Sequence, residues 1–223
     1  MRRLAIPSIL FIAAALATAP APAAKPHHGH PALDAKVKPI DGKLRRQITG
    51  SSWHHGCPVP RSKLRLVVVN HWDFHGKVDR GRLIVKKSMT SEMVGAMRSL
   101  YRHHFPIRRM ELVDRYGADD HRSMNADNTS AFNCREIAGQ PGVWSQHAYG
   151  RAIDLNPREN PYVTSSGYVS PPAGAPFADR SRHSKGMVHS GDRAFKAFKR
   201  VGWDWGGEWS YPKDYQHFSA NGS

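Results

Sequence analysis

Features that would place a protein at a membrane are scarce in this 223-residue sequence. Beyond the first 23 residues, no apolar stretch is long enough to span a bilayer. No cysteine follows the apolar run near the N-terminus, so a lipid-modified N-terminus is not indicated. Acidic residues are also few, 18 against 33 Lys and Arg, which gives a formal net charge of +15 at pH 7. A field of that sign attracts polyanions of any kind, so the charge indicates adhesion and not a particular chemistry.

The N-terminus has the pattern of an export signal. A basic start, Met1-Arg-Arg3, precedes the mostly apolar residues from Leu4 to Leu16, and Ala21-Pro-Ala23 provides a small-x-small cleavage site. We therefore predict a secretory signal peptide at residues 1–23. A retained membrane anchor is the weaker alternative, because the apolar run is short and contains Pro7.

The rest of the chain divides by composition into a leader and a domain. Residues 24–50 are basic and rich in Pro and His, without a helical or strand period, which predicts a mobile linker with no metal site of its own. Residues 51–223 suit one domain with its own core. Once exported to the periplasm or the exterior, this domain is expected to join Cys57 to Cys134 in a disulfide, the alternative being two unlinked buried thiols.

Hydrophobic patterns within the domain predict both strands and helices. Two β-branched segments, Leu64–Asn70 and Arg82–Lys86, favour neighbouring core strands, and residues 107–113 favour a third. Helical spacing of apolar residues begins at Thr90 and ends before Pro106, and it recurs from Ser190 to Gly202. These patterns predict a single α+β domain in which helices pack against an antiparallel sheet.

The stretch Ser145-Gln-His-Ala-Tyr-Gly-Arg-Ala-Ile-Asp154 carries the first candidate metal ligands. His147 offers an imidazole nitrogen and Asp154 a carboxylate oxygen, two donors that suit zinc when both are deprotonated. Gly150 marks a point where the backbone must bend or pass close to another segment. The stretch therefore predicts a turn carrying His147 that runs into a strand presenting Asp154, with a third ligand supplied from elsewhere.

The third ligand is assigned from a pattern that occurs once. Asp214-Tyr-Gln-His217 is the only Asp-x-x-His in the sequence, and Glu-x-x-His does not occur. We assign His217 to the metal. Asp214 then becomes the candidate general base, close enough to take a proton from a water molecule at the metal without being a ligand itself.

These residues together resemble a known family. The pattern Ser145-x-His147-x-x-Gly150-x-Ala152-x-Asp154, followed by an acid-x-x-His, is similar to the LAS metallopeptidases. These are the zinc D-alanyl-D-alanine carboxypeptidases, which include relatives of the vancomycin-resistance type, and the L-alanyl-D-glutamate endopeptidases. The resemblance implies the LAS/Hedgehog-like fold, Zn²⁺ as cofactor, His147, Asp154 and His217 as its ligands and Asp214 as the base. It extends from about Cys57 to Phe218.

The resemblance also implies an arginine upstream of the first motif that binds substrate and stabilises the transition state. Arg135 is the first candidate and Arg122 the second, because a guanidinium can pair with a substrate carboxylate or with an oxyanion. Ser145, at the head of the motif, and Tyr215, one of a group of aromatic residues near the C-terminus, are further candidates for substrate contacts.

The predicted function is hydrolysis of peptide bonds in peptidoglycan stem peptides by a secreted zinc peptidase. Asp in place of Glu before the last ligand weakly favours the endopeptidase type. The expected partners are stem peptides and, through the basic charge, anionic envelope polymers, and neither nucleic acid nor a stable membrane anchor is expected. A non-catalytic, zinc-containing wall-binding protein on the same fold is the alternative. A metal nuclease using His54, His55, His71 and His75 is a third reading, which leaves the first motif unexplained.

Overall fold

The computed structural model describes residues 31–222. The predicted signal peptide, residues 1–23, and the first residues of the predicted linker lie outside this described part. Within residues 31–222, no helix combines the length and the apolar character needed to cross a membrane.

The largest sheet has three antiparallel strands in the order β1-β2-β3. They are β1 (Ala35–Pro39), β2 (Leu64–Trp72) and β3 (Val78–Lys86). The two neighbouring core strands predicted from β-branched residues are thereby confirmed, each longer than its apolar pattern.

The strand β1 and the following helix α1 (Gly42–Ile48) correct the predicted linker, since both lie within residues 24–50. β1 pairs along its whole length with β2, and α1 buries Leu44 and Ile48. The domain boundary predicted at residue 51 is therefore wrong. Neither element shows a clear hydrophobic period in the sequence. β1 is an edge strand exposed at four of its five positions, and α1 buries only two apolar residues.

Two helices cover one face of this sheet. α2 (Thr90–Arg102) and the later helix α4 (Arg193–Lys199) pack against each other, and α2 also packs on β2. Both helices were predicted from their apolar spacing. Asp192 caps α4 by accepting a hydrogen bond from the backbone N–H of Phe195 at 2.7 Å.

The region between β3 and the metal motif differs from its prediction. Residues 107–113 do not form a strand: Arg109 makes an isolated bridge with Asn128, and Pro106, just before the segment, makes one with Trp72. The polar segment that follows contains a short helix, α3 (Asp120–Asn125). The apolar side chains that suggested a strand are buried individually, and the backbone does not form the hydrogen-bond ladder of a strand.

The remaining strands are short and form three further antiparallel sheets, β4-β5, β6-β11-β9 and β10-β7-β8. In chain order they are β4 (Glu136–Ile137), β5 (Gln140–Trp144), β6 (Ala152–Asp154), β7 (Tyr162–Val163), β8 (Val169–Ser170), β9 (Asp204–Trp205), β10 (Lys213–Asp214) and β11 (His217–Ser219). The α+β class with antiparallel strands and packed helices is confirmed, with four small sheets in the described residues where one was expected.

Two apolar clusters fill the domain on opposite faces of the three-stranded sheet. The larger lies under α2 and α4 and includes Ile153 of β6 and Phe218 of β11, both fully buried. The smaller lies under α1 and includes Leu66 of β2 and Ile84 of β3. The larger cluster therefore fixes the two strands that carry the candidate metal ligands.

The disulfide prediction is confirmed. Cys57 and Cys134 are joined, with their Cα atoms 5.9 Å apart. The bond ties the loop after α1 to the segment that leads into Arg135 and β4.

Candidate metal centre

His147 sits in a tight turn that the sequence encodes locally. Ser145 precedes a 3-10 helix, Gln146–Tyr149, and its Oγ accepts a hydrogen bond from the backbone N–H of His147 at 3.3 Å. Gly150 ends the turn in the left-handed region, with φ of 63°. A Cβ at this position would lie 2.6 Å from the backbone nitrogen of Lys86, so glycine allows the turn to dock against β3.

Asp154 and His217 face each other across two paired strands. They are direct partners in the antiparallel register of β6 and β11, so their side chains lie on the same face of the sheet. The neighbouring pair, Ile153 and Phe218, points to the other face and is fully buried in the larger apolar cluster. Burial of one face therefore sets the register that brings the two ligands together.

The three candidate ligands converge on one point. His147 Nε2 lies 3.1 Å from Asp154 Oδ2, His217 Nδ1 lies 3.2 Å from Asp154 Oδ1, and the two imidazole nitrogens are 3.2 Å apart. Donors at zinc distances of ~2.0–2.1 Å in a tetrahedron are separated by about 3.3–3.4 Å. The donor set and its spacing therefore fit a zinc ion with one coordination position left over.

Hydrogen bonding and charge prepare the ligands for a cation. Nδ1 of His147 lies 2.5 Å from the carbonyl oxygen of Ala131 and donates to it, which leaves the lone pair of Nε2 facing the site. Burial raises the pKa of Asp154, but His147 and His217 outweigh this and hold that pKa below its ordinary value. Asp154 is therefore a carboxylate in the folded protein.

The centre opens into a cavity of about 640 Å³. Besides the three ligands, its walls include Arg135, Ser145, Tyr162, Tyr168, Trp209 and Asp214. These residues come from separate segments of the chain, namely the region around β4 and β5, the β7–β8 hairpin and the loop before β10. A peptide-sized ligand can therefore reach the centre from solvent.

Asp214 lies beside the ligands without being one of them. It pairs with Tyr162 between β10 and β7, and its Oδ1 is buried with no hydrogen-bond partner among residues 31–222. Burial raises the pKa of Asp214 to about 6, a shift that the Asp154 charge reinforces and the two imidazoles oppose. Gly206 packs directly on this residue, since a Cβ there would lie 2.9 Å from the Cβ of Asp214. A carboxylate at the cavity wall with one unpartnered oxygen can accept a proton there.

Comparison with known families gives one match at this point. Residues 138–220 match a family model described as D-alanyl-D-alanine carboxypeptidase. Over this segment the chain is similar to the LAS-type peptidases. It includes His147, Asp154, Asp214 and His217, and it begins after Arg135. No curated protein and no solved structure gives a significant match.

The peptidase cavity distinguishes the two candidate arginines. Arg135 lines the cavity, and its Nη2 pairs with Asp120 Oδ2 at 2.8 Å. The side chain of Arg122 is 76% exposed, pairs with Asp119, which caps the same short helix, and does not line the cavity. Of the two, the structure brings only Arg135 together with the ligands.

The two predicted substrate contacts have different outcomes. Ser145 lines the cavity. Tyr215 does not, because its ring packs between the Arg180 guanidinium, 4.4 Å from the ring centre, and Trp205. Trp205 also donates from Nε1 to the carbonyl of Tyr215 at 2.7 Å. The structure therefore places Tyr215 in the packing of the peptidase domain and not at its cavity.

Sequence reasoning missed several residues of the cavity wall. Asp120, which holds Arg135, lies in a helix that the sequence did not predict. Tyr162 and Tyr168 lie on the β7–β8 hairpin, in a stretch that was expected only as a long loop beside the site. Trp209, whose ring centre is 5.5 Å from that of His217, was recognisable only as one of several aromatic residues.

The histidines of the nuclease reading do not form a site. His71 is buried in β2, and none of His55, His71 and His75 belongs to a group of three potential metal ligands within residues 31–222. The one other such group consists of His54 and the two cysteines of the disulfide.

Proposed function

We propose that this protein is a zinc-dependent peptidase that hydrolyses peptide bonds of peptidoglycan stem peptides. The observation that carries the proposal is the convergence of His147, Asp154 and His217 at the wall of a peptide-sized cavity. The match of residues 138–220 to the carboxypeptidase family supports the same chemistry.

His147 Nε2, Asp154 and His217 Nδ1 would hold the metal. A zinc ion bound there supplies a Lewis acid for the scissile carbonyl and lowers the pKa of a water molecule. The remaining work is done by the side chains around the ion.

Asp214 accepts the proton that the attacking water loses and passes it to the leaving amine. Both transfers require a carboxyl group whose pKa is closer to neutrality than that of an exposed aspartate, which agrees with a value of about 6. Its buried Oδ1 has no competing partner among the described residues, so it is available to the substrate side of the cavity.

Arg135 orients the substrate. Its guanidinium can bind a substrate carboxylate or steady the oxyanion that forms at the scissile carbonyl. The ion pair with Asp120 holds this side chain at the cavity wall before substrate arrives.

An exported location follows from the same proposal. A disulfide between Cys57 and Cys134 persists in an oxidising compartment, and stem peptides lie outside the cytoplasm. The N-terminal signal pattern supports delivery to the periplasm or the exterior.

The test is incubation of purified sacculi with zinc-loaded protein, followed by mass spectrometry of the released fragments. Asp214→Asn is expected to lower the rate by about 10²–10⁴-fold while zinc remains bound. Asp204→Asn is the matched control, because Asp204 pairs with Lys199 and does not line the cavity.

The products distinguish the possible bonds. Loss of a terminal alanine identifies a D-alanyl-D-alanine carboxypeptidase, and fragments cut within the stem identify an L-alanyl-D-glutamate endopeptidase. Stoichiometric zinc with no product would overturn the hydrolase proposal and would favour a non-catalytic wall-binding protein.

A further inference from the structure

A second cavity, of about 270 Å³, lies on the face of the three-stranded sheet that α1 only partly covers. Its lining consists of Gln47 of α1, Arg80 and Arg82 of β3, and the segment Met110–Leu112 with Arg115. It shares no lining residue with the peptidase cavity. Three guanidinium groups therefore meet in one recess that the proposed chemistry does not use.

The strand register extends this recess into a basic row. Lys36 of β1 pairs with Val68 of β2, and Val68 pairs with Arg82 of β3, so all three side chains lie on one face. Lys38 follows two residues later on the same face of β1. The row therefore runs from the cavity across the sheet to its exposed edge, where the Lys36 side chain is 61% exposed.

Local carboxylates do not balance this charge. Arg80 pairs with Asp34 at 2.6 Å, and Arg115 pairs with Glu111 at 3.0 Å. Lys36 shares Asp34 with Arg80, at 3.8 Å. Arg82 is partly buried and has no ion pair or side-chain hydrogen bond among residues 31–222. Lys38 likewise has no ion pair there. Five cations thus share this face with two carboxylates.

Partly enclosed like charges repel one another more strongly than they would in open water, so a bound anion would stabilise the recess. Guanidinium groups suit the tetrahedral oxygens of phosphate because they donate parallel hydrogen bonds. The cavity accepts one such group, and the lysines beyond it continue the positive row along the strand direction of β1. A ligand that satisfies the whole row therefore carries several phosphates in line.

We propose that this basic face is a binding site for a phosphodiester polymer of the cell envelope, with one phosphate seated between Arg80, Arg82 and Arg115. Such a site holds the protein at the wall while the separate peptidase cavity acts on stem peptides. The choice of an envelope polymer rests on the proposed function, whereas the phosphate chemistry rests on the recess itself.

The experiment measures binding of zinc-loaded protein to long-chain inorganic polyphosphate over a range of salt concentrations. The site variant is Arg82→Gln/Lys36→Gln. The control is Arg98→Gln/Arg102→Gln, which removes the same charge from the exposed face of α2. We expect the site variant to bind about tenfold more weakly at low salt and with a shallower salt dependence, and the control to stay within about twofold of the unaltered protein. Thermal melting verifies that both variants fold.

Each outcome decides the proposal. Equal losses of polyphosphate affinity in both variants would mean that only net charge matters. An unchanged affinity in the site variant would mean that the recess does not bind the polymer. Either result overturns the proposal. Equal affinity per phosphate for orthophosphate and polyphosphate would contradict a polymer ligand, and tighter binding to duplex DNA would contradict the envelope source. Hydrolysis of a short soluble stem peptide is expected to be unchanged in the site variant, so failure of the peptidase proposal would appear there independently.

Discussion

Two groups of potential metal ligands in the described part of the chain bring their donor atoms within 4.8 Å of one another. One is His147, Asp154 and His217, and the other is His54 with Cys57 and Cys134. In the second group the sulfurs are bonded to each other, and both ring nitrogens of His54 face backbone carbonyl oxygens, at 2.8 and 3.2 Å.

The difference lies in which lone pairs are free to bind a cation. A disulfide sulfur is not a thiolate, so the second group offers a cation at most the single lone pair of the His54 ring. In the first group only one nitrogen of His147 is used by a carbonyl, that of Ala131, and the other faces the carboxylate of Asp154. Both groups therefore bring donor atoms close together. They differ in their bonding, which leaves lone pairs for a cation in the candidate metal centre and joins the two sulfurs in the disulfide.

The largest effect is expected when a residue of the first group is replaced. His147→Ala is expected to lower hydrolysis by at least about a thousandfold, because the Lewis acid contributes several kcal/mol to the transition state. Zinc bound per chain, measured by elemental analysis, is expected to fall in parallel. His54→Ala is the control and should keep both zinc and activity. Loss of zinc from the His54 variant would show that the two groups had been assigned the wrong way round.

Breaking the second group should affect stability and not metal content. Cys57→Ala/Cys134→Ala opens a loop with a sequence separation of 77, which corresponds to about 4 kcal/mol of unfolding free energy in the chain-entropy model. Denaturant melts of the zinc-loaded protein measure this loss. Zinc stoichiometry of the folded variant should remain that of the unaltered protein. An unchanged free energy of unfolding would show that the disulfide does not stabilise the fold.

Arg135 connects the two groups, since it follows the disulfide directly and lines the peptidase cavity. Arg135→Ala is expected to lower kcat/KM for a soluble stem peptide by about a hundredfold, the scale for removing one donor to a developing oxyanion. Arg122→Ala should stay within about twofold, because its side chain is exposed and does not line the cavity. Equal effects in the two variants would contradict the assignment of Arg135.

The smallest effect concerns a residue near the ligand His217. Tyr215→Phe keeps the ring that packs against Trp205 and Arg180. Peptide hydrolysis should therefore change by less than about twofold, because no cavity contact is lost. A large drop in activity with unchanged stability would instead return Tyr215 to the substrate-binding residues.

The sequence predicted the convergence of His147, Asp154 and His217 because its signal is local and chemical. His147 and Asp154 lie seven residues apart in one motif, and Gly150 supplies the left-handed turn between them. The pairing of His217 with Asp154 then follows from two strands that each bury one apolar face. The core strands β2 and β3 and the helices α2 and α4 were likewise visible, since burial imposes a period on their residues.

Other parts of the fold lack a regular spacing of buried apolar residues. Strand β1 depends on backbone pairing with β2 and leaves most of its side chains exposed, so its residues look like a linker. The direction of a loop side chain is set by tertiary contacts, which is why sequence alone could not separate Arg135 from Arg122. Asp120 became recognisable as a partner of Arg135 only when α3 was placed beside it.

The pairing of β6 with β11 makes the candidate metal centre depend on a long-range contact. Asp154 and His217 are 63 residues apart in sequence, and they meet only after β11 has docked beside β6. A chain that has formed its helices but not this pairing retains two of the three ligands and should hold zinc far more weakly. In the proposed enzyme, bound zinc would therefore report that β6 and β11 have paired, and a copy without that pairing would lack activity.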